Sequence, residues 1–361
     1  MTASPAADSL WPTCLEIDTA AVVANWQSVR RGPTASVVKA DAYGLGATKI
    51  APALHAAGCR HFFTAHPSEA MAIRDLIPGA MLAVLNGLWP GLETDFAAND
   101  LTPVLGTLDE VDRWAAHARQ NGRALPAILH IDTGMNRLGL DASELEVLAA
   151  DPARLGGLTM RYVMTHLVSS ECPADAINET QRIRFAAACA RLPAMPRSLA
   201  NSSGLFLGAD FDSELSRPGA ALYGVNPTPG QPNPQRSVVR LRARVLHVRD
   251  VPQGESVGYN GQWTAVRPSR IATVSVGYAD GYLRSLSHRA TAYFDDQPVP
   301  LVGRVSMDLS TFDVTEVPGL AAGHWLDMIG PGGVDALAAE AGTNGYEILT
   351  SLGRRYKRVY L

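Results

Sequence analysis

Between Thr34 and Arg217 the chain repeats one unit: a short apolar run, a polar or glycine-containing turn, then usually a helical pattern. The runs lie near Thr34 to Val38, His61 to Ala65, Met81 to Leu85, Thr102 to Leu105, Leu125 to Ile131, Leu158 to Thr165, Ser198 to Ala200 and Glu214 to Arg217. TLDEVDRWAAHARQ and NETQRIRFAAACARL are the clearest helices between them. Eight strand candidates alternating with helices predict an α/β fold, a closed parallel (β/α)8 TIM-type barrel in preference to an open sheet.

The repeat stops at Asn226 to Pro234, NPTPGQPNP, whose four prolines bar a helix or a central strand and mark a linker. Beyond it the chain alternates from Ser237 to Val248, and β-rich runs recur at Ile271 to Val276, Val299 to Val305 and Thr311 to Val314. That predicts a mainly antiparallel β domain over 236–361 after a barrel over 1–235, whose first residues are candidates to join the β domain. One last helical pattern, DALAAEAGTNGYEILTSLG, precedes the basic end. The 361 residues exceed what one core organises, which agrees with two domains.

Composition narrows the function classes. With 47% hydrophobic and 18% charged residues the chain has the apolar material to fold. A net charge of −4 from 31 basic and 35 acidic residues, well mixed, gives no positive field for nucleic acid or membrane surface. The start, MTASPAADSL, reads as neither a signal peptide nor a membrane span, so a cytoplasmic location is expected. Cys14, Cys59, Cys172 and Cys189 have no metal-ligand spacing, so neither zinc nor a disulfide is expected.

In a barrel of this type the strand C-terminal ends carry the site. They hold Lys39, Asp132, Arg137, His166, Asn201 with Ser202, and Arg217 with Gly219. A lysine ending ASVVK at an apolar mouth loses basicity by desolvation, which frees its amine for Schiff-base chemistry; alone it reads first as a lysine snorkelling from a strand end, ahead of a catalytic one. ANSSG and RPGAALYG, after the seventh and eighth runs, have the composition of a phosphate cradle, or of ordinary turns. Together, lysine and cradle on one face suggest pyridoxal phosphate.

These segments resemble the barrel-type, pyridoxal phosphate-dependent alanine racemase family of bacteria. VVKADAYGLG at Val37 to Gly46 is similar to its cofactor-lysine motif, and HIDTGMNRLG at His130 to Gly139, ANSSG, SRPGAALYG at Ser216 to Gly224, GYADGY at Gly277 to Tyr282 and GRVSMD at Gly303 to Asp308 follow in the family's order. The resemblance implies a two-base racemisation of L- and D-alanine, with Lys39 as cofactor lysine and base for the D-enantiomer and Tyr278 as base for the L-enantiomer. It pairs Tyr278 with His166 and places Arg217 on the cofactor's ring nitrogen, Arg137 on its phenolic oxygen and near the substrate carboxylate, and Tyr43, Ser202, Gly219 and Ala220 on the phosphate, with Asn201 beside them. Tyr278 and the backbone of Met307 would come from the other subunit of a head-to-tail homodimer with shared active sites. The activity would supply D-alanine for peptidoglycan or serve alanine catabolism.

The chain departs from the family at His130, where many members carry a carbamylated lysine. An imidazole cannot supply that anionic partner, which leaves open what orients Arg137. A phosphate-contacting tyrosine of some relatives aligns with Arg354. Two further readings stay open: a racemase of serine or another amino acid, with the same catalytic residues, and a non-catalytic pyridoxal phosphate carrier, a class that lacks the second domain.

Overall fold

The computed structural model describes residues 10–361. They form two compact units: one runs from Val22 to Arg236, and the other joins the residues up to Ala21 to Ser237–Leu361. The first strand, β1 (Thr13–Ile17), belongs to the second unit, where it pairs with strands more than two hundred residues away.

In the first unit β2 (Ser36–Val37), β3 (His61–Thr64), β4 (Met81–Val84), β5 (Thr102–Leu105), β6 (Leu125–His130), β7 (Leu158–Met164) and β8 (Arg197–Ser198) form a parallel sheet in sequence order. The sheet curls shut. Thr34 and Ser216 make a parallel bridge, Ala35 N–H donates to Ser216 O at 2.8 Å, and Leu215 N–H donates to Arg197 O at 3.1 Å. The eighth expected strand is therefore a single bridge that joins both sheet edges and not a ladder, because Pro218 follows and has no N–H to extend it.

The barrel interior takes side chains from β2 to β7 and from the eighth segment: Ala35 and Val37, Phe63, Ala83, Val104, Ile128, Met164 and Leu215 pack as one buried cluster. On the outer face Phe62 and Leu82 are also fully buried, so these strands read as continuous apolar runs. Each fully buried large side chain stabilises by roughly 1.5–3 kcal/mol, which fixes the barrel against the entropy of its loops. Helix starts are set locally: Thr107 caps Leu108–Gln120 by accepting from Glu110 N, and Asp141 and Asp175 cap Ala142–Ala150 and Ala176–Ala190 in the same way.

The second unit is mainly antiparallel, with β1 and β17 its one parallel pair among the described residues, and adds to β1 the strands β9 (Val239–Val251), β10 (Ser256–Val257), β11 (Trp263–Thr264), β12 (Ser269–Val274), β13 (Thr291–Phe294), β14 (Gln297–Val302), β15 (Ser310–Asp313), β16 (Trp325–Asp327) and β17 (Lys357–Tyr360). Its main order is β12-β15-β14-β13-β16-β9-β1-β17, and β12 also pairs with β9; β10 and β11 form a separate ribbon. Alternate residues Leu241, Ala243 and Val245 of β9 are buried, as the period-two pattern demands. The single helical pattern expected near the C-terminus is two helices, Gly333–Ala341 and Gly345–Ser351, because Gly342 takes φ 74° and ends the first. β10, β11, β13, β16 and β17 are additional to the strands expected from sequence.

Candidate active site

Lys39 follows β2, and the four residues after it, Ala40, Asp41, Ala42 and Tyr43, all have φ between 52° and 55°. They wind a left-handed turn, with Ala42 N–H on Val38 O at 2.9 Å and Gly44 N–H on Ala40 O at 2.7 Å. A left-handed L-residue costs roughly 1–2 kcal/mol, so four in a row persist only when held from outside. Three contacts hold them. Glu69 Oε1 accepts Ala40 N–H at 2.7 Å, Asp41 Oδ1 accepts Ala47 N–H at 2.7 Å, and the Tyr43 ring stacks on Tyr223 with centroids 4.6 Å apart. Tyr223 is itself fixed by donating to Val37 O at 2.9 Å. Burial, and then the Arg137 charge, lower the basicity of the Lys39 amine, with Glu69 opposing them.

After β6 the chain forms a tight loop organised by Asp132, whose Oδ1 accepts from Gly134, Met135 and Asn136 amides at 2.9, 2.9 and 3.2 Å. Gly139 closes it at φ 109°, where a Cβ would lie 2.7 Å from Asp132 N. This loop presents Arg137, so the backbone that carries Arg137 is fixed by Asp132. His130, at the end of β6, is buried, and desolvation with the Arg217 charge pulls its pKa down to about 4. It is a neutral imidazole at neutral pH, in keeping with its inability to act as an anion.

His166 follows β7 and is pulled down to about 3 by burial, Arg217, Arg137 and Lys39. These couplings place Lys39, His130, Arg137, His166 and Arg217 around one electrostatic environment. The loops bearing Arg137 and His166 are stitched by Gln181, a fully buried residue. Its Nε2 donates to Thr133 Oγ1 at 3.0 Å and His166 O at 2.9 Å, while its Oε1 accepts Val168 N–H at 2.8 Å.

Arg217 is 4% exposed and donates to Ser198 Oγ at 2.5 Å and Thr165 O at 2.6 Å. Among the described residues it has no ion-pair partner, and burial brings its pKa only to about 10, so it stays charged. Beside it, Ser202 Oγ accepts Gly219 N–H at 2.9 Å and Ala221 N–H at 3.2 Å. With both acceptor positions used, its O–H remains to donate. Gly219 lies against Tyr43: a Cβ there would stand 2.4 Å from the Tyr43 hydroxyl. Ala220 opens the short 3-10 helix Ala220–Tyr223 next to it. Asn201 is turned inward, its Oδ1 accepting Ser170 Oγ–H at 2.8 Å and Gly204 N–H at 2.8 Å, so that oxygen fixes its own loop.

Tyr278 and Met307 sit together in the β unit. Tyr278 N–H donates to Ser306 O at 3.0 Å and Ala279 N–H to Met307 O at 2.9 Å, and Gly277 is required because a Cβ would meet Met307 O at 2.3 Å. Both side chains are open to solvent, Tyr278 at 43% and Met307 at 55%, and they line a groove of about 810 Å³ with Tyr259, Arg284, Arg304 and Asp308. Arg355, and not Arg354, makes the ion pairs here, to Asp280 and Asp308.

Sequence reasoning passed over Glu69, Gln181, Tyr223 and Arg355. Only Glu69 left a local trace, as the third residue of a helix begun by Pro67.

Comparison with known proteins follows this division. Residues 17–227 match the family model "Alanine racemase, N-terminal domain", and residues 238–360 match "Alanine racemase, C-terminal domain". A curated alanine racemase of Acidiphilium cryptum is 57% identical over 349 residues, 96% of this chain and 98% of that one. That of Rhodospirillum rubrum is 50% identical over 96% of this chain and 95% of its own length. A crystal structure of alanine racemase from Bartonella henselae with covalently bound pyridoxal phosphate superposes with a TM-score of 0.94 at 40% identity, covering 97% of this chain and 99% of that one.

Proposed function

This chain belongs to the alanine racemase family, and from that premise we propose that it interconverts L- and D-alanine with pyridoxal 5'-phosphate as cofactor. The observation that carries the proposal is the cluster at the barrel mouth: an amine of lowered basicity, two neutral imidazoles and two guanidiniums, beside a glycine cradle. The residues fit the cofactor. The Ser202 O–H and the Tyr43 hydroxyl, which stands where a side chain at Gly219 would lie, suit a phosphate, the Ala220 backbone adjoins them, and Asn201 holds the loop that carries Ser202.

When bound, pyridoxal phosphate supplies an electron sink that acidifies the Cα–H of the amino acid attached to it. The protein must then take a proton from one face of Cα and return one to the other. Lys39 would serve one face, since burial and Arg137 hold its amine toward the neutral form in which it accepts a proton. Tyr278 of the partner subunit would serve the other, in a head-to-tail homodimer that shares its active sites. A free tyrosine has a pKa near 10, and the neutral His166 imidazole can accept its hydrogen bond and ease the loss of its proton. Arg137 would bind the substrate carboxylate, with the backbone of Met307 of the partner subunit closing that side.

Arg217 would face the cofactor's ring nitrogen. A guanidinium with a pKa of about 10 donates a hydrogen bond at neutral pH without surrendering its proton, which limits the sink and favours simple proton exchange at Cα. Exposure of Tyr278 and Met307 along one open groove supports the shared-site dimer. The activity would supply D-alanine for peptidoglycan or serve alanine catabolism. Enantiomer-resolved turnover on alanine and serine, with and without added cofactor, tests the reading: alanine should turn over fastest, and a faster rate on serine would replace it.

A further inference from the structure

Glu69 begins as an ordinary helix cap. It is the third residue of the helix Pro67–Ile73, and its Oε2 accepts the amides of Ala65 at 2.8 Å and His66 at 3.1 Å. Such a cap needs one carboxylate oxygen. The other oxygen crosses to the loop after β2 and accepts Ala40 N–H at 2.7 Å, 29 residues back in the chain.

The same arrangement recurs twice around the barrel. Glu110, third in its helix, accepts Gly106 N–H at 2.6 Å with Oε2 and Leu88 N–H at 3.0 Å with Oε1. Glu144, also third, accepts Asp141 N–H at 3.3 Å and Leu108 N–H at 2.9 Å. Each carboxylate ties its own helix start to the loop or helix start before it. Of the three, Glu69 alone reaches the residue bonded to Lys39.

That residue opens the strained left-handed turn, with Ala40 at φ 52° and ψ 47°. A charge-assisted hydrogen bond to its amide offsets part of the cost of the turn and directs the backbone from which the lysine side chain leaves. We propose that Glu69 is a positioning residue for Lys39, holding the turn through the Ala40 amide so that the amine meets the cofactor. This rests on the reading of Lys39 as the cofactor lysine. The charged groups that act on the amine are Arg137 and Glu69, and His166 lies within the same field.

The test is cofactor binding by the full-length protein freed of pyridoxal phosphate, followed by equilibrium dialysis and by the visible absorbance of the bound cofactor. Glu69→Asp keeps the charge and can keep the cap, but loses one methylene of reach; Glu69→Gln keeps the length and loses one acceptor oxygen and the charge. Glu144→Gln makes the matching lesion far from Lys39 in the chain. Both Glu69 variants should bind pyridoxal phosphate about tenfold more weakly than wild type, while Glu144→Gln binds as wild type does. Glu69→Gln should also move the pH midpoint of cofactor capture downward, since the carboxylate supports the protonated amine, and Glu69→Asp should move it less. Wild-type affinity and midpoint in both variants, or a loss no larger than that of Glu144→Gln, overturns the proposal. If Lys39→Ala captures the cofactor with the wild-type absorbance, the lysine reading fails and takes this inference with it.

Discussion

Arg355 donates from Nε to the Asp280 carboxylate at 3.1 Å, and the Asp280 side chain is only 3% exposed. Asp280 also accepts Gly277 N–H at 2.9 Å, and Arg355 Nη1 reaches Asp308 at 2.7 Å. One guanidinium thus fastens the segment of Tyr278 to the segment of Met307. Arg355→Ala should cost about 1–2 kcal/mol, below the ~3–5 kcal/mol of a fully buried pair because Arg355 is half-exposed. Urea unfolding measures the loss, and a parallel fall in racemisation rate is expected. Arg355→Lys should recover little, since one ammonium cannot span both carboxylates in that fork.

The histidines give the chain a pH signature. His130 has a pKa of about 4 in the fold against 6.5 when free. Its folded value is lowered, so below pH 6.5 the unfolded chain binds the proton first and stability falls as pH falls, until the folded form also protonates near pH 4. At pH 5 that amounts to about 2 kcal/mol for His130, by 1.36 kcal/mol for each pH unit. His166, lowered for the same reason, acts in the same direction. The urea midpoint should drop from pH 7.5 to pH 5, and His130→Gln should drop less; equal drops would contradict the assignment.

Much of this was legible in the sequence because it is local. The first seven apolar runs became β2 to β8, and the proline-rich linker lies just ahead of the unit boundary at Arg236. What was not legible depends on partners distant in sequence. Nothing in Glu214 to Arg217 announces that its ladder ends at Pro218 after a single bridge, and nothing near Leu15 says that β1 will lie between β9 and β17. The residues bearing the expected chemistry stand in recognisable strings, whereas Gln181 and Arg355 act through contacts 13 or more residues away and have no string of their own.

Gly219→Ala tests the cradle. The glycine has φ −127°, which L-residues adopt, so the conflict is with the Tyr43 hydroxyl at 2.4 Å. The variant should bind pyridoxal phosphate at least about tenfold more weakly, by displacing Tyr43 or the loop. In a Tyr43→Phe background, which lacks that hydroxyl and binds more weakly to begin with, Gly219→Ala should cost less than it does in the wild type; an equal cost in both backgrounds would place the conflict elsewhere.

The proposed shared site predicts complementation. Lys39→Ala and Tyr278→Phe proteins, each inactive alone, should regain activity when unfolded and refolded together, because a heterodimer keeps one site with both bases. Heterodimers that form yet stay inactive would contradict the exchange of Tyr278 between subunits.

Racemisation of alanine through Lys39 can be read from the optical rotation of L-alanine incubated with purified protein and pyridoxal phosphate. The rotation should decay to zero with the wild type and stay flat with Lys39→Ala. A wild-type protein that binds the cofactor and leaves the rotation unchanged, or a Lys39→Ala variant with full activity, would contradict it.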